Sequence, residues 1–218
     1  VNDGILQNQG LEYQLTGKII QNEDFYLTLG VNGEIIKNEM LELPIDPTTG
    51  EEKVLDIAGY YGRTAGRSIY DFYIRDWAGV DPASGEGMWF SHFVDANNNG
   101  VPDGGLMSDG GEIISSLYEY MNSNPDMEGN IDVATTKNYA WATQKFVDKT
   151  AIPDVRGALN LATGFGNFNL NVQMLYQFGG YGYDFQYARL MHNDQIGSNN
   201  WHVDIRDRWQ QPGDITSV

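Results

Sequence analysis

Leu11-Glu12-Tyr13-Gln14-Leu15-Thr16-Gly17-Lys18-Ile19-Ile20 alternates apolar and polar residues along its length. A period of two sends the two sets to opposite faces of an extended chain, so this stretch reads as a β-strand. Gln21-Asn22-Glu23-Asp24 is a short polar turn. Beyond it, Phe25, Leu27, Leu29, Val31 and Ile35 alternate with Tyr26, Thr28, Asn32 and Glu34. Two long strands joined by so short a turn predict an antiparallel hairpin.

A second hairpin has the same grammar. Val155, Gly157, Leu159 and Leu161 lead into Gly164-Phe165-Gly166-Asn167, and Phe168, Leu170, Val172, Met174, Tyr176 and Phe178 follow on one face. Asn169, Asn171, Gln173 and Gln177 fall on the other. The amide-rich face discriminates between architectures. A soluble sandwich turns its polar face to bulk water, whereas a transmembrane barrel puts lipid on the apolar face and a wet lumen on the polar one. Strands of about ten residues exceed the usual five or six of soluble sheets and suffice to cross a bilayer obliquely. Tyr13, Phe25, Tyr26, Phe168, Tyr176, Phe178, Tyr181 and Tyr183 gather towards strand ends, where interfacial aromatic girdles sit. The expected fold class is all-β: an antiparallel transmembrane β-barrel segment of about six strands, with long extracellular loops containing short helices.

Composition excludes several functions. Thirteen Lys+Arg against 30 Asp+Glu give a net charge of −17, the reverse of the basic footprint that nucleic acid requires. The chain has no cysteine, so disulfides, thiolate metal sites and cysteine nucleophiles are absent. No run approaches the roughly 18 apolar residues of a membrane helix, which leaves strand crossings open.

Between the hairpins the pattern changes. Ser68 to Trp77 is strand-like, Asp81-Pro82-Ala83-Ser84-Gly85 is a turn, and Met88-Trp89-Phe90 is extended. Residues 95–152 read as a long extracellular loop insertion. Within it, Ile113, Ile114, Leu117, Tyr118 and Met121 give Glu112–Met121 a helical face, and Thr135–Val147 is expected to form a second short helix. No linker divides the sequence. It starts at Val1 without a Met and stops at Thr216-Ser217-Val218, so an internal segment of a longer chain is the expectation.

Several blocks resemble one family, the SusC-like TonB-dependent outer-membrane transporters. Asn8-Gln9-Gly10-Leu11-Glu12 resembles the N-x-G-x-E that opens a barrel strand, and Lys37-Asn38-Glu39-Met40-Leu41-Glu42-Leu43 the K-N-E-x-x-x-L that closes the next. Gly66-Arg67-Ser68-Ile69-Tyr70-Asp71-Phe72-Tyr73 with Trp77-Ala78-Gly79-Val80-Asp81-Pro82 resembles the G-x-S-I-Y-D-F-Y…W-A-G-V-D-P block, and Gly85 and Trp89 fit the G-x-x-x-W after it. Tyr176-Gln177-Phe178-Gly179-Gly180 resembles Y-Q-F-G-G, and Asn200-Trp201-His202, Asp207-Arg208-Trp209 and Pro212-Gly213-Asp214 resemble N-x-H…D-R-W…P-G-D. The blocks occur in family order over nearly the whole sequence.

The resemblance implies a large barrel with a plug and a TonB box, both outside residues 1–218, as are the closing strands. It implies energisation by the TonB complex through the missing N-terminal part, a SusD-like surface lipoprotein as lid, and outer-membrane lipid around the wall. Uptake of a glycan or peptide nutrient would involve no bond chemistry, so no enzyme activity is expected. Gln14, Asn32, Asn169, Asn171 and Gln173 are the candidate lumen-facing residues, and Trp201 and Trp209 the candidate substrate-stacking residues. The other reading is a secreted β-sandwich glycan-binding module stiffened by Ca2+.

That reading draws on Asp95-Ala96-Asn97-Asn98-Asn99-Gly100-Val101-Pro102-Asp103, which has the D-x-N-x-N-G-x-x-D spacing of calcium loops. Asp95, Asn97, Asn99 and Asp103 are the candidate ligands of a structural Ca2+, with Leu106 in place of the bidentate Glu and Asp109 or Glu112 as a replacement oxygen. The alternative is an unliganded Asx-rich turn. No cofactor is required. His92, His192 and His202 lack zinc-site spacing, and no Ser sits in a G-x-S-x-G setting.

Overall fold

The computed structural model describes residues 4–109, 111–191 and 200–218. His192 lies outside them. The strands, in chain order, are β1 (Ile5–Gln21), β2 (Phe25–Glu42), β3 (Asp56–Ala58), β4 (Tyr61–Arg63), β5 (Asp71–Arg75), β6 (Trp77–Val80), β7 (Gly87–Val94), β8 (Ile113–Ile114), β9 (Ile131–Thr136), β10 (Gln144–Thr150), β11 (Pro153–Phe165) and β12 (Phe168–Gly179). Among the described residues two short α-helices, α1 (Leu117–Ser123) and α2 (Phe185–Leu190), and several 3-10 turns accompany the mostly antiparallel strands. The expected count of six strands was low because the short strands between the hairpins carry too few residues to show a period. The sheets are open, and no closed barrel is formed by these residues.

The chain divides into two compact units, Val1–Phe72 with Asp148–Tyr181 and Tyr73–Val147 with Gly182–Val218. In the first, four long strands form one sheet in the order β1-β2-β11-β12. β1 pairs with β2 through Leu15↔Val31, β2 with β11 through Val31↔Leu159, and β11 with β12 through Leu159↔Met174. The two sequence-evident hairpins therefore lie edge to edge. The second turn is Gly166-Asn167 alone, since Gly164 and Phe165 still pair with Asn169 and Phe168.

The second unit has a conventional core. β7 is its central strand, pairing with β6, β8 and β9. Tyr73, Phe93, Val94, Ile114 and Ala142 are buried there. Phe146 meets Tyr73 and Tyr118 edge-on, and the Tyr73 hydroxyl lies 2.7 Å from Ser116 Oγ.

The helical expectations need correction. Ile113 and Ile114 are strand, paired with Phe93 and His92, so only Leu117–Ser123 is α-helical. Thr135–Val147 is not a helix: it holds the end of β9, a single 3-10 turn at Tyr139–Trp141 and the start of β10. Thr135 and Thr136 are β-branched and find partners in Phe90 and Trp89. Thr143 gives its hydroxyl to the Ile114 carbonyl at 2.6 Å and accepts the His92 amide at 2.7 Å. Those bonds exist only in the extended arrangement, and they override a helical period built on few residues.

Candidate functional site

The four-stranded sheet has two chemically distinct faces. Its register stacks Leu15-Val31-Leu159-Met174 in one row across all four strands, with Gly17-Leu29-Leu161-Val172 as the next row on the same side. Nothing covers this side among the described residues: Leu15 is 68% exposed, Met174 60% and Leu170 56%. A soluble sandwich would bury such a face against a second sheet about 10 Å away.

The band has a measurable height. From Phe25 to Ile35 it runs about 34 Å at about 3.4 Å per residue. A tilt of about 40° reduces that to about 26 Å, against the roughly 25 Å apolar belt of an outer-membrane barrel. Aromatics mark both limits. Phe25, Phe165 and Phe168 line up at the turn end, with Phe168 82% exposed. At the other end Tyr13 and Tyr176 reach over Gly33 and Gly157, which share their row, until their hydroxyls lie 2.6 Å apart. The Tyr176 hydroxyl also donates to the Asn32 carbonyl at 2.9 Å. Two phenols on an apolar face thus satisfy each other.

The opposite face is polar. Tyr26↔Gly164↔Asn169, Thr28↔Ala162↔Asn171, Gly30↔Asn160↔Gln173 and Gln14↔Asn32↔Ala158 are successive rows on it. Gln14, Asn32, Asn169, Asn171 and Gln173 therefore share one face. Gln173 donates to Asn160 Oδ1 at 2.9 Å, and Tyr26 to Asn169 Oδ1 at 3.0 Å. Neutral amides in rows offer both donors and acceptors to a polar solute. Sequence reading put Glu12 and Thr16 in the polar set of β1 without naming them as lumen-facing, and it passed over Asn160 and Arg156, which alternation along β11 places on this face.

The motif blocks meet one another inside each unit. Asn38 is buried and accepts from Ser68 Oγ at 2.9 Å and the Ile69 amide at 3.0 Å, while its own amide donates to Asn8 at 2.7 Å. In the other unit the Trp209 ring lies on Gly85, its Nε1 donates to the Pro82 carbonyl at 2.9 Å, and the Gly213 amide donates to the same carbonyl at 2.8 Å. A Cβ on Gly85 would come within 2.4 Å of that ring. Trp209 is thus engaged in packing. Trp201 is 39% exposed, in a shallow groove with Arg189, Leu190 and His202, and is the freer of the two to stack on a solute.

A charged knot holds the Asp81–Glu86 turn. Lys137 Nζ reaches Asp81 at 2.5 Å and Glu86 at 2.8 Å. Lys137, the Ala83 amide and the Ser84 hydroxyl hold the Asp81 carboxyl down at about 2. A depressed carboxyl stabilises the fold above its ordinary value of 3.8 and loses that contribution as pH falls through about 2. Protection of the Ser84 and Gly85 amides, relative to an unstructured peptide at the same pH, is expected to fall across that window, and Lys137→Met to move the fall upward in pH. An unchanged profile in the variant would show that the lysine does not hold the turn.

In the Asp95–Asp103 loop the oxygens face N–H groups. Asp95, 2% exposed, accepts the Asn99 and Gly100 amides at 3.0 and 2.7 Å. Asp103 accepts from Ala96 N and Asn97 Nδ2, both at 3.1 Å, and Asn99 Oδ1 from Val101 N at 2.8 Å. Among the described residues no three acidic or histidine side chains converge as a metal site. Asp95→Ala leaves two amides unpaired and is expected to destabilise the loop by about 1–3 kcal/mol, read as faster exchange at Asn99 and Gly100. Unchanged exchange would mean that the carboxylate is dispensable.

No family model matches the chain, and no curated protein does. Solved structures do. A structure of the RagAB peptide transporter superposes on 100% of this chain with a TM-score of 0.68 at 19% identity. A structure of the RagAB peptide importer in its closed-closed state matches 82% of the chain with a TM-score of 0.55, also at 19% identity. The chain spans 20% and 16% of those two chains, respectively. The likeness is one of fold.

Proposed function

We propose that the chain forms part of the wall of an outer-membrane β-barrel that imports a polar nutrient, a peptide or a glycan, in the manner of the SusC-like TonB-dependent transporters it resembles. One observation carries this reading: four long antiparallel strands leave an apolar face bare over the thickness of a bilayer and turn rows of amides to the other side. An isolated sheet in lipid would leave its edge N–H and C=O groups unpaired, so β1 and β12 need further strands beside them. The likeness to RagAB peptide transporter structures, in which this fold is a fifth of a longer chain, supports the same reading and favours peptides over glycans.

The partners follow from it: outer-membrane lipid against the Leu15–Met174 face, a SusD-like lipoprotein over the loops, and the TonB complex acting through a plug elsewhere in the protein. The chain works by gated passage and not as an enzyme. The bare face disfavours a secreted sandwich. We propose further that Ca2+ is not required, because N–H groups already hold the Asp95–Asp103 loop. Exchange at Gly100 is then expected to be equal in millimolar CaCl2 and in EDTA, and protection gained with calcium would make it a calcium loop.

Fractionation of cells expressing the full-length protein tests the main reading. It is expected in the outer membrane, resistant to extraction by salt and alkaline carbonate. Recovery as a soluble, folded species would overturn it.

A further inference from the structure

On the reading that the polar face of the four-stranded sheet lines a transport path, its loop end holds a pocket that the amide rows do not explain. Ile36 stands on that face of β2, between Glu34 and the buried Asn38, where alternation calls for a polar residue. Tyr61 and Tyr70 stand beside it, and Ala151, Ile152 and Pro153 extend the apolar wall of a cavity of about 390 Å3. Asn8, Glu34 and Arg156 supply the polar part of the lining. A largely apolar, partly aromatic hollow with a few polar groups has the make-up of a ligand site.

Its frame is fixed by bonds that involve no ligand. The Tyr70 carbonyl accepts from the Ala151 amide at 3.0 Å and from the Thr150 hydroxyl at 3.3 Å, and the Tyr70 amide donates to Ser68 Oγ at 3.2 Å. Tyr61 pairs with Phe72 between β4 and β5. Its ring lies 5.0 Å from that of Phe72 and 5.9 Å, edge-on, from that of Tyr70. Binding in such a frame orders little that is not already ordered.

The lining suits an aromatic ring better than a sugar. A pyranose carries hydroxyls around its edge, and Ile36, Ala151, Ile152 and Pro153 would leave them without partners. An aromatic side chain covers the same aliphatic wall and adds a third ring to the Tyr61–Tyr70 pair. Asn8 gives its side-chain carbonyl to Asn38, so its NH2 is left to donate to a peptide carbonyl.

We infer that this pocket is an anchor subsite for one aromatic side chain of an imported peptide. It lies at the end of the sheet opposite the two short turns. A solute entering past the long loops meets it before the amide rows.

The inference rests on the transporter reading, and the test separates the two. The full-length protein in detergent micelles is titrated by calorimetry with the blocked tripeptides Ser-Phe-Ser and Ser-Gln-Ser and with a glucose trisaccharide. Ser-Phe-Ser is expected to bind about tenfold more tightly than Ser-Gln-Ser. Tyr70→Ser and Ile36→Gln should each remove most of that preference. Amide exchange at Ala151, which reports its bond to the Tyr70 carbonyl, verifies that the frame persists in both variants. Equal binding of the two peptides, or a preference that survives both variants, in a protein that inserts normally into the membrane would overturn the subsite alone. Tighter binding of the trisaccharide than of Ser-Phe-Ser, lost in Tyr70→Ser, would overturn its assignment to peptides. A protein that does not insert at all would overturn the transporter reading, and the subsite with it.

Discussion

Met174→Arg and Leu15→Arg are each expected to cost about 2–4 kcal/mol of folding stability in the membrane, while Asn171→Lys and Gln173→Lys, on neighbouring positions, cost almost nothing. Leu15 and Met174 occupy the same row near the middle of the apolar band. An arginine there must shed its hydration into hydrocarbon or deform the bilayer to keep it. Asn171 and Gln173 sit one residue away on β12, but alternation turns them to the other face. The contrast between adjacent positions is the signature of lipid on one side and water on the other. Urea unfolding of the full-length protein in lipid vesicles measures it. Equal, small effects on both faces would mean that both faces meet water.

The second large effect concerns the tyrosine row. Gly157→Ala is expected to destabilise by about 3 kcal/mol, the upper part of the range for overpacked sites. A Cβ there would lie 2.0 Å from the Asn32 carbonyl oxygen and 2.6 Å from the Tyr176 hydroxyl, and the backbone cannot yield without breaking the ladder. Gly33 has the same constraint, with both hydroxyls 2.5 Å from a Cβ. Removing hydroxyls gives a subtler test. Tyr176→Phe strands the Tyr13 hydroxyl on an apolar face and should cost about 1–3 kcal/mol. Adding Tyr13→Phe removes the second polar group and should recover much of that loss. Such non-additivity is expected of residues in contact. Losses that simply add would show that the hydroxyls do not depend on each other.

Legibility from sequence tracked periodicity. The β1–β2 and β11–β12 hairpins were readable because each alternates over ten or more residues with one short turn, and the same alternation assigned Gln14, Asn32, Asn169, Asn171 and Gln173 to a common face once pairing was known. The pairing of β2 with β11 was not readable. It joins segments separated by the entire middle of the chain, and both Gly33 and Gly157 suit many partners. Thr135–Val147 failed for a related reason. A few apolar residues at helical spacing are outweighed by ladder bonds to β7 and by the Thr143 hydroxyl, neither of which leaves a local trace.

The binding residues divided in the same way. Nothing in the sequence distinguishes Trp209, pressed on Gly85 with its N–H on Pro82, from the more open Trp201. The Asp95–Asp103 spacing is equally good for a cation and for Asx turns, and spacing alone does not reveal that Asp95 and Asp103 accept the Asn99, Gly100 and Ala96 amides. The motif blocks proved more informative than any single residue. Asn8, Asn38 and Ser68 lie far apart in sequence and share one hydrogen-bonded cluster.

The central claim is that one face of the four-stranded sheet meets lipid and the other meets water. Single cysteines at positions 14, 15, 31, 32, 171, 172, 173 and 174 of the full-length protein, in an otherwise cysteine-free background, can carry nitroxide labels in reconstituted vesicles. The account predicts that the labels at Leu15, Val31, Val172 and Met174 are relaxed by oxygen, which concentrates in hydrocarbon. Those at Gln14, Asn32, Asn171 and Gln173 should instead be relaxed by a water-soluble nickel chelate. Loss of that alternation, with all eight positions open to the nickel reagent, would contradict it.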